Sequence, residues 1–113
     1  MIERKELIRF ANHVTAVTEP LRGKSGAINF SKRALKSAQA LMTAANEIGS
    51  GDAKVQKRAL DSALSEYHRL EYVLDGLLAA QFISDADHAR ISSEGVELRK
   101  ALIISIGEAR GAK

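Results

Sequence analysis

A chain of 113 residues with plentiful apolar side chains, few aromatics, one Pro and eight Gly has room for one domain, residues 1–113, and too few turn residues for an all-β fold. It has no Cys, which excludes disulfides, thiolate zinc sites and cysteine nucleophiles. No apolar run reaches the roughly 18 residues of a membrane span, and the charged start Met1–Glu6 lacks the apolar stretch of a signal peptide, so a cytoplasmic protein with no membrane partner is expected. The net charge of +3 is unevenly spread: residues 1–60 carry 11 Lys/Arg against 5 Asp/Glu, residues 61–113 carry 6 against 9, and a basic face toward a polyanion is one consequence such a split can have.

The first helix is expected from about Glu3 to Glu19, with Leu7, Phe10, Val14, Val17 and Leu21 at alternating spacings of three and four. Pro20 removes a backbone donor and restricts Glu19, so the helix should end or kink there, and Arg22–Gly26 reads as a loop. A second helix is expected from about Phe30 to Ile48, capped by Asn29 or by Ser25. Ala34, Ala38, Leu41, Ala45 and Ile48 form its stripe, flanked by Leu35 and Met42. Gly49-Ser50-Gly51 ends it, and Asp52 is placed to cap the next.

The third helix is the longest stretch of unbroken periodicity. From Asp52 to about Phe82, Leu60, Ala63, Tyr67, Leu70, Leu74 and Leu77 hold one apolar stripe, widened by Leu64 and Leu78, with Gly76 the only interior glycine. Ser84 with Asp87 three residues on looks like a capping pair, so the connection to helix four is expected to be only a residue or two long. Helix four should run to about Glu108 on Ile91, Leu98, Leu102 and Ile106. Gly107, Arg110, Gly111 and Lys113 suggest a frayed end. Val96, Ile103 and Ile104 fall outside its strict stripe and either widen the core contact or face a second subunit. Four amphipathic helices joined by short connections predict an all-α, up-down-up-down antiparallel four-helix bundle.

These elements resemble the small bacterial four-helix-bundle proteins encoded in intervening sequences of 23S rRNA genes, whose relatives include the accessory proteins of diversity-generating retroelements. The likeness rests on Ala63-Leu64, Leu70-Glu71, Leu74 and Phe82-Ile83-Ser84 at the corner between helices three and four. Pro20 after the first helix and Glu47 before Gly49 add to it. The chain departs from the family where Ala40-Leu41-Met42-Thr43-Ala44 replaces a Ser-Ile-Pro-Ser-Asn run, at Arg69 in place of a Glu, and at Gln81 in place of a Gly. The resemblance implies a homo-oligomer, often a pentamer, whose basic surface binds nucleic acid or a reverse transcriptase, and it carries no catalytic residues.

Signs of chemistry are few. A di-metal carboxylate bundle needs a Glu-x-x-His on each of two helices, and only Asp85-x-x-His88 approaches it. Arg9 and His13 are too close together for the Arg–His pair of helical ribonucleases, so His13, His68 and His88 read as surface or boundary residues. Tyr67 in the stripe needs a hydroxyl partner, and Glu71 stands at the stripe's edge; both read as structural. No enzyme, metal or cofactor is expected.

The basic positions are Lys24, Lys32, Arg33 and Lys36, then Lys54, Lys57 and Arg58. Lys32 and Lys36 share the outer face of helix two, and Lys54 and Arg58 repeat that spacing on helix three. Together they would make a basic stripe that contacts the phosphates of RNA or DNA. No aromatic is interleaved with them in the sequence, which argues against sequence-specific recognition of single strands. The expected function is a non-enzymatic, homo-oligomeric bundle that associates with nucleic acid, as an accessory to an RNA or reverse-transcriptase system. The alternative is a protein-interaction module that works through helix four and binds no nucleic acid.

Overall fold

The computed structural model describes residues 1–111. Within them lie α1 (Arg4–Thr18), α2 (Ile28–Ile48), α3 (Ala53–Ala79) and α4 (Asp85–Gly111). Each helix packs on the next, α4 closes the ring against α1, and among the described residues the diagonal pairs keep their backbones apart, Phe10 of α1 meeting Tyr67 of α3 through side chains alone. The result is the expected antiparallel four-helix bundle, 49 × 21 × 18 Å. One contiguous core runs its length, with Leu7, Leu41, Leu60, Leu70, Leu77, Ile91 and Leu102 fully buried. The α2 stripe is mostly alanine, and this lets α2 and α3 approach closely over the longest seam in the bundle. The seam between α1 and α4 is the slightest.

Asp52 caps α3 as expected: its carboxylate accepts from the backbone N–H groups of Lys54 at 2.9 Å and Val55 at 3.2 Å. Ser84 caps α4, its hydroxyl accepting from the Asp87 N–H at 3.1 Å. Pro20 ends α1, and the chain continues as a single 3₁₀ turn, Glu19–Leu21, that buries Leu21.

Four expectations at the ends of elements need correction. Neither Asn29 nor Ser25 caps α2. The helix starts two residues earlier than expected, at Ile28, behind Ala27, which has no side chain to cap with. Ala27 is wholly buried, so docking of the chain sets this start. Helix α3 stops at Ala79 rather than near Phe82, and residues 80–84 make a longer connection than expected. There the Phe82 N–H bonds to the Leu77 carbonyl and the Gln81 N–H to the Leu78 carbonyl, both at 2.9 Å, with Gln81 at φ +64°. This is a Schellman close, built on a residue that tolerates left-handed backbone poorly. Gln81→Gly should therefore raise stability by about 0.5–1 kcal/mol, read as a higher midpoint in thermal or urea unfolding. A lower midpoint would mean that the Gln81 side chain does something the backbone geometry does not reveal.

At its other end α4 is not frayed at Gly107. It continues to Gly111 because Ala109 is buried and the Ser105 hydroxyl accepts the Ile2 N–H at 2.7 Å, tying buried Ile2 to the last turns. Lys113 lies outside the described residues. Two helix glycines mark close approaches. A Cβ at Gly76 would stand 2.9 Å from the Phe30 ring, and one at Gly95 would stand 2.8 Å from Tyr67.

Candidate nucleic-acid interface

Helix α2 carries an unusual run of charge. Between Glu19 and Glu47 the chain has no carboxylate, yet it has Arg22, Lys24, Lys32, Arg33 and Lys36. Arg22 is tied to Glu19 at 3.0 Å. Lys24, Lys32, Arg33 and Lys36 are exposed and, among the described residues, stand in no ion pair; the same holds for Lys54, Lys57 and Arg58 on α3. Of the cations elsewhere on the surface, Lys5, Arg69, Arg90 and Lys100 each sit beside a nearby acid, whereas Arg4, Arg9, Arg99 and Arg110 stand in no ion pair among the described residues. Between Glu19 and Glu47 the sequence supplies the α2 cations with no acid, and Glu66, which shares the groove with Arg33 and Lys36, is paired with Arg69, so their charge is available to a partner.

The bundle divides the seven basic residues into separate groups. Arg33 and Lys36 line a groove of about 560 Å³ between α2 and α3. Lys32 is one turn from Lys36 on the outer surface of α2, and Lys24 lies in the turn that leads into that helix. Lys54 and Arg58 belong to the first turns of α3. Arg58 lies about 16 Å of helix before Arg69, which joins the groove from α3. Lys57 turns the other way, into a cleft with Ile106, Ala109 and Arg110 of α4.

The groove also holds residues that the sequence reading did not single out. Arg69 and Tyr72 enter it from α3, with Val73 and Ala40 at its floor. Tyr72 is 72% exposed. The Arg69 guanidinium donates to Glu66 at 2.8 Å, and that carboxylate is itself mostly covered. An aromatic ring therefore stands beside the α2 cations after all. It is supplied across the antiparallel seam rather than along the sequence. The available signal was that Arg69 and Tyr72 fall opposite the Leu70–Leu74 stripe on α3, on the helix that packs most closely with α2.

The other polar residues have structural partners. The Tyr67 hydroxyl donates to Glu71 at 3.0 Å, and burial, with that carboxylate beside it, pushes the Tyr67 pKa up to about 12. His13 meets Glu94 at 2.6 Å between α1 and α4, His88 meets Asp75 at 2.8 Å between α4 and α3, and His68 lies edge-on to Tyr67. Among the described residues no three His, Asp or Glu side chains converge as a metal site requires. No helix there is long and apolar enough to cross a membrane.

On α4, Val96, Ile103 and Ile104 are 47%, 44% and 61% exposed, while Gly95, Ser105 and Ala109 take the inward positions. Of the two expectations for this trio, widening the core is therefore not what the fold does with them. Comparison with protein-family models, curated proteins and solved structures finds no match.

Proposed function

We propose that this bundle is a non-enzymatic protein that associates with nucleic acid through the cationic surface of α2, as an accessory to an RNA or to a reverse transcriptase. The observation that carries the reading is the carboxylate-free stretch between Glu19 and Glu47, with its exposed Lys24, Lys32, Arg33 and Lys36, which stand in no ion pair among the described residues. Phosphate oxygens satisfy such cations, and release of the polyanion's counterions supplies the affinity. Mobility shifts at low salt test this directly. The wild type should retard RNA and DNA with little regard for sequence, and replacing Lys32, Lys36, Lys54 and Arg58 with Gln should weaken that binding while leaving the helical signal intact. No retardation by the wild type, or equal retardation by the quadruple variant, would contradict it and favour the protein-interaction reading.

A separate observation supports self-association. The exposed Val96, Ile103 and Ile104 are interleaved with Glu97 and Lys100, so two copies meeting through α4 can bury the apolar residues and set acid against base. Light scattering should give a multiple of the 12.2 kDa chain mass. Ile103→Glu with Ile104→Glu should return it to a single copy. A wild type that stays monomeric at high concentration would remove this part of the proposal. Several copies would also present several α2 surfaces to one polyanion, and so strengthen a contact that is weak per copy.

A further inference from the structure

We infer that the α2/α3 groove is a stacking site for an unpaired base, so that the protein takes single-stranded nucleic acid in preference to duplex. This rests on the nucleic-acid reading above and adds to it the form of the strand.

The first support is Tyr72. Phe10 and Tyr67 are almost wholly buried, and Phe30 and Phe82 are packed against the core, yet Tyr72 is 72% exposed. A large ring left in water forgoes the stabilisation its burial would bring. Its position at a groove supplies something to cover it with. The groove floor is apolar at Ala40 and Val73, and its volume of about 560 Å³ lies within the usual range for ligand sites.

The second support is the ordering of charge around the ring. Arg33 and Lys36 rise from α2 on one side, about 4.5 Å apart along the axis, and neither has an acidic partner among the described residues. On the other side Arg69 stands one turn from Tyr72, its guanidinium held by Glu66 at 2.8 Å. That bond pairs the one carboxylate of the groove with a cation. Two unpaired cations are left for phosphates, next to an aromatic face.

A duplex can use only half of this arrangement. Its phosphates reach Arg33 and Lys36, but its bases are stacked on one another and present no face to Tyr72. A single strand offers both, phosphates to the α2 cations and an unstacked base to the ring, and such stacking is tolerant of sequence because every base has a π-face.

The test compares a labelled oligo-dT strand with a DNA duplex of the same length, by fluorescence anisotropy at one salt concentration. The wild type should bind the strand about tenfold or more tightly than the duplex. Tyr72→Ala should lose about 5- to 150-fold on the strand and less than about twofold on the duplex, and Tyr72→Phe, which keeps the ring, should hold most of the affinity. The chain has no Trp and two Tyr, so tyrosine emission is a second readout. The strand should quench it in the wild type, and the quenching should vanish in Tyr72→Phe while binding persists. Strand and duplex bound equally, or a Tyr72→Ala variant that binds the strand like the wild type, would overturn the stacking site and leave the basic surface standing. Failure of the wild type to bind either would overturn both.

Discussion

Leu70→Ala should lower the stability of this protein by about 2–5 kcal/mol, seen as a shifted denaturation midpoint with an unchanged slope. Leu70 sits at the middle of α3 with no exposed surface. Helix α3 packs on α2 along one side and on α4 along the other, so truncation opens a void that no single neighbour can close. The loss is the transfer free energy of the removed carbons plus the cavity they leave. A midpoint shift near zero would mean that the stripe from Leu60 to Leu77 does not form the core.

A second large effect is expected from adding bulk at Gly95. Tyr67 lies across it, with the Phe10 ring centroid 5.9 Å away and the hydroxyl bonded to Glu71. A Cβ at residue 95 would stand 2.8 Å from Cε1 of Tyr67 and 2.9 Å from its hydroxyl oxygen. The ring cannot swing aside freely, because Phe10 and the Glu71 bond hold it. Gly95→Val should therefore cost about 3 kcal/mol, chiefly from overpacking, with some weakening of the part-buried hydrogen bond to Glu71. Gly95→Ala should cost less, since the gain in helix propensity, about 1 kcal/mol, works against the clash. Combining Gly95→Val with Tyr67→Leu should recover part of the loss, because the two changes share one contact. A Gly95→Val protein as stable as the wild type would show that Tyr67 has room to move.

Much of this architecture is legible in the sequence, and the places where it is not have physical causes. The stripes at spacings of three and four name the four helices and most of the core, and Asp52 and Ser84 mark two helix starts through side chains that bond their own backbone. The start of α2 escapes that logic because buried Ala27 sets it through tertiary packing. The end of α3 is missed because Gln81 occupies the left-handed position where a Gly would have announced a stop. On α4, apolar residues lie on both faces, and only the packed bundle shows Gly95 and Ser105 turned inward with Val96, Ile103 and Ile104 outward. Ser105 is hidden because its partner, the Ile2 N–H, lies at the far end of the chain. The candidate interface is half legible for the same reason. Its cations are read from α2, but Arg69 and Tyr72 join Arg33 and Lys36 only when the register of two antiparallel helices is known. An aromatic that lies far from the cations in sequence therefore stands among them in space.

The salt dependence of binding tests the central claim most directly. Affinity for an oligo-dT strand should fall linearly with salt on logarithmic axes, and replacing Lys32, Arg33 and Lys36 together with Gln should reduce that slope by about 2, at roughly 0.7 per lost phosphate contact. Replacing Lys54, Lys57 and Arg58 should reduce it less, because Lys57 points toward α4 and Arg58 lies about 16 Å of helix from Arg69. A slope left unchanged by the α2 substitutions, in a variant that keeps its helical signal, would contradict the assignment of α2 as the phosphate-binding surface.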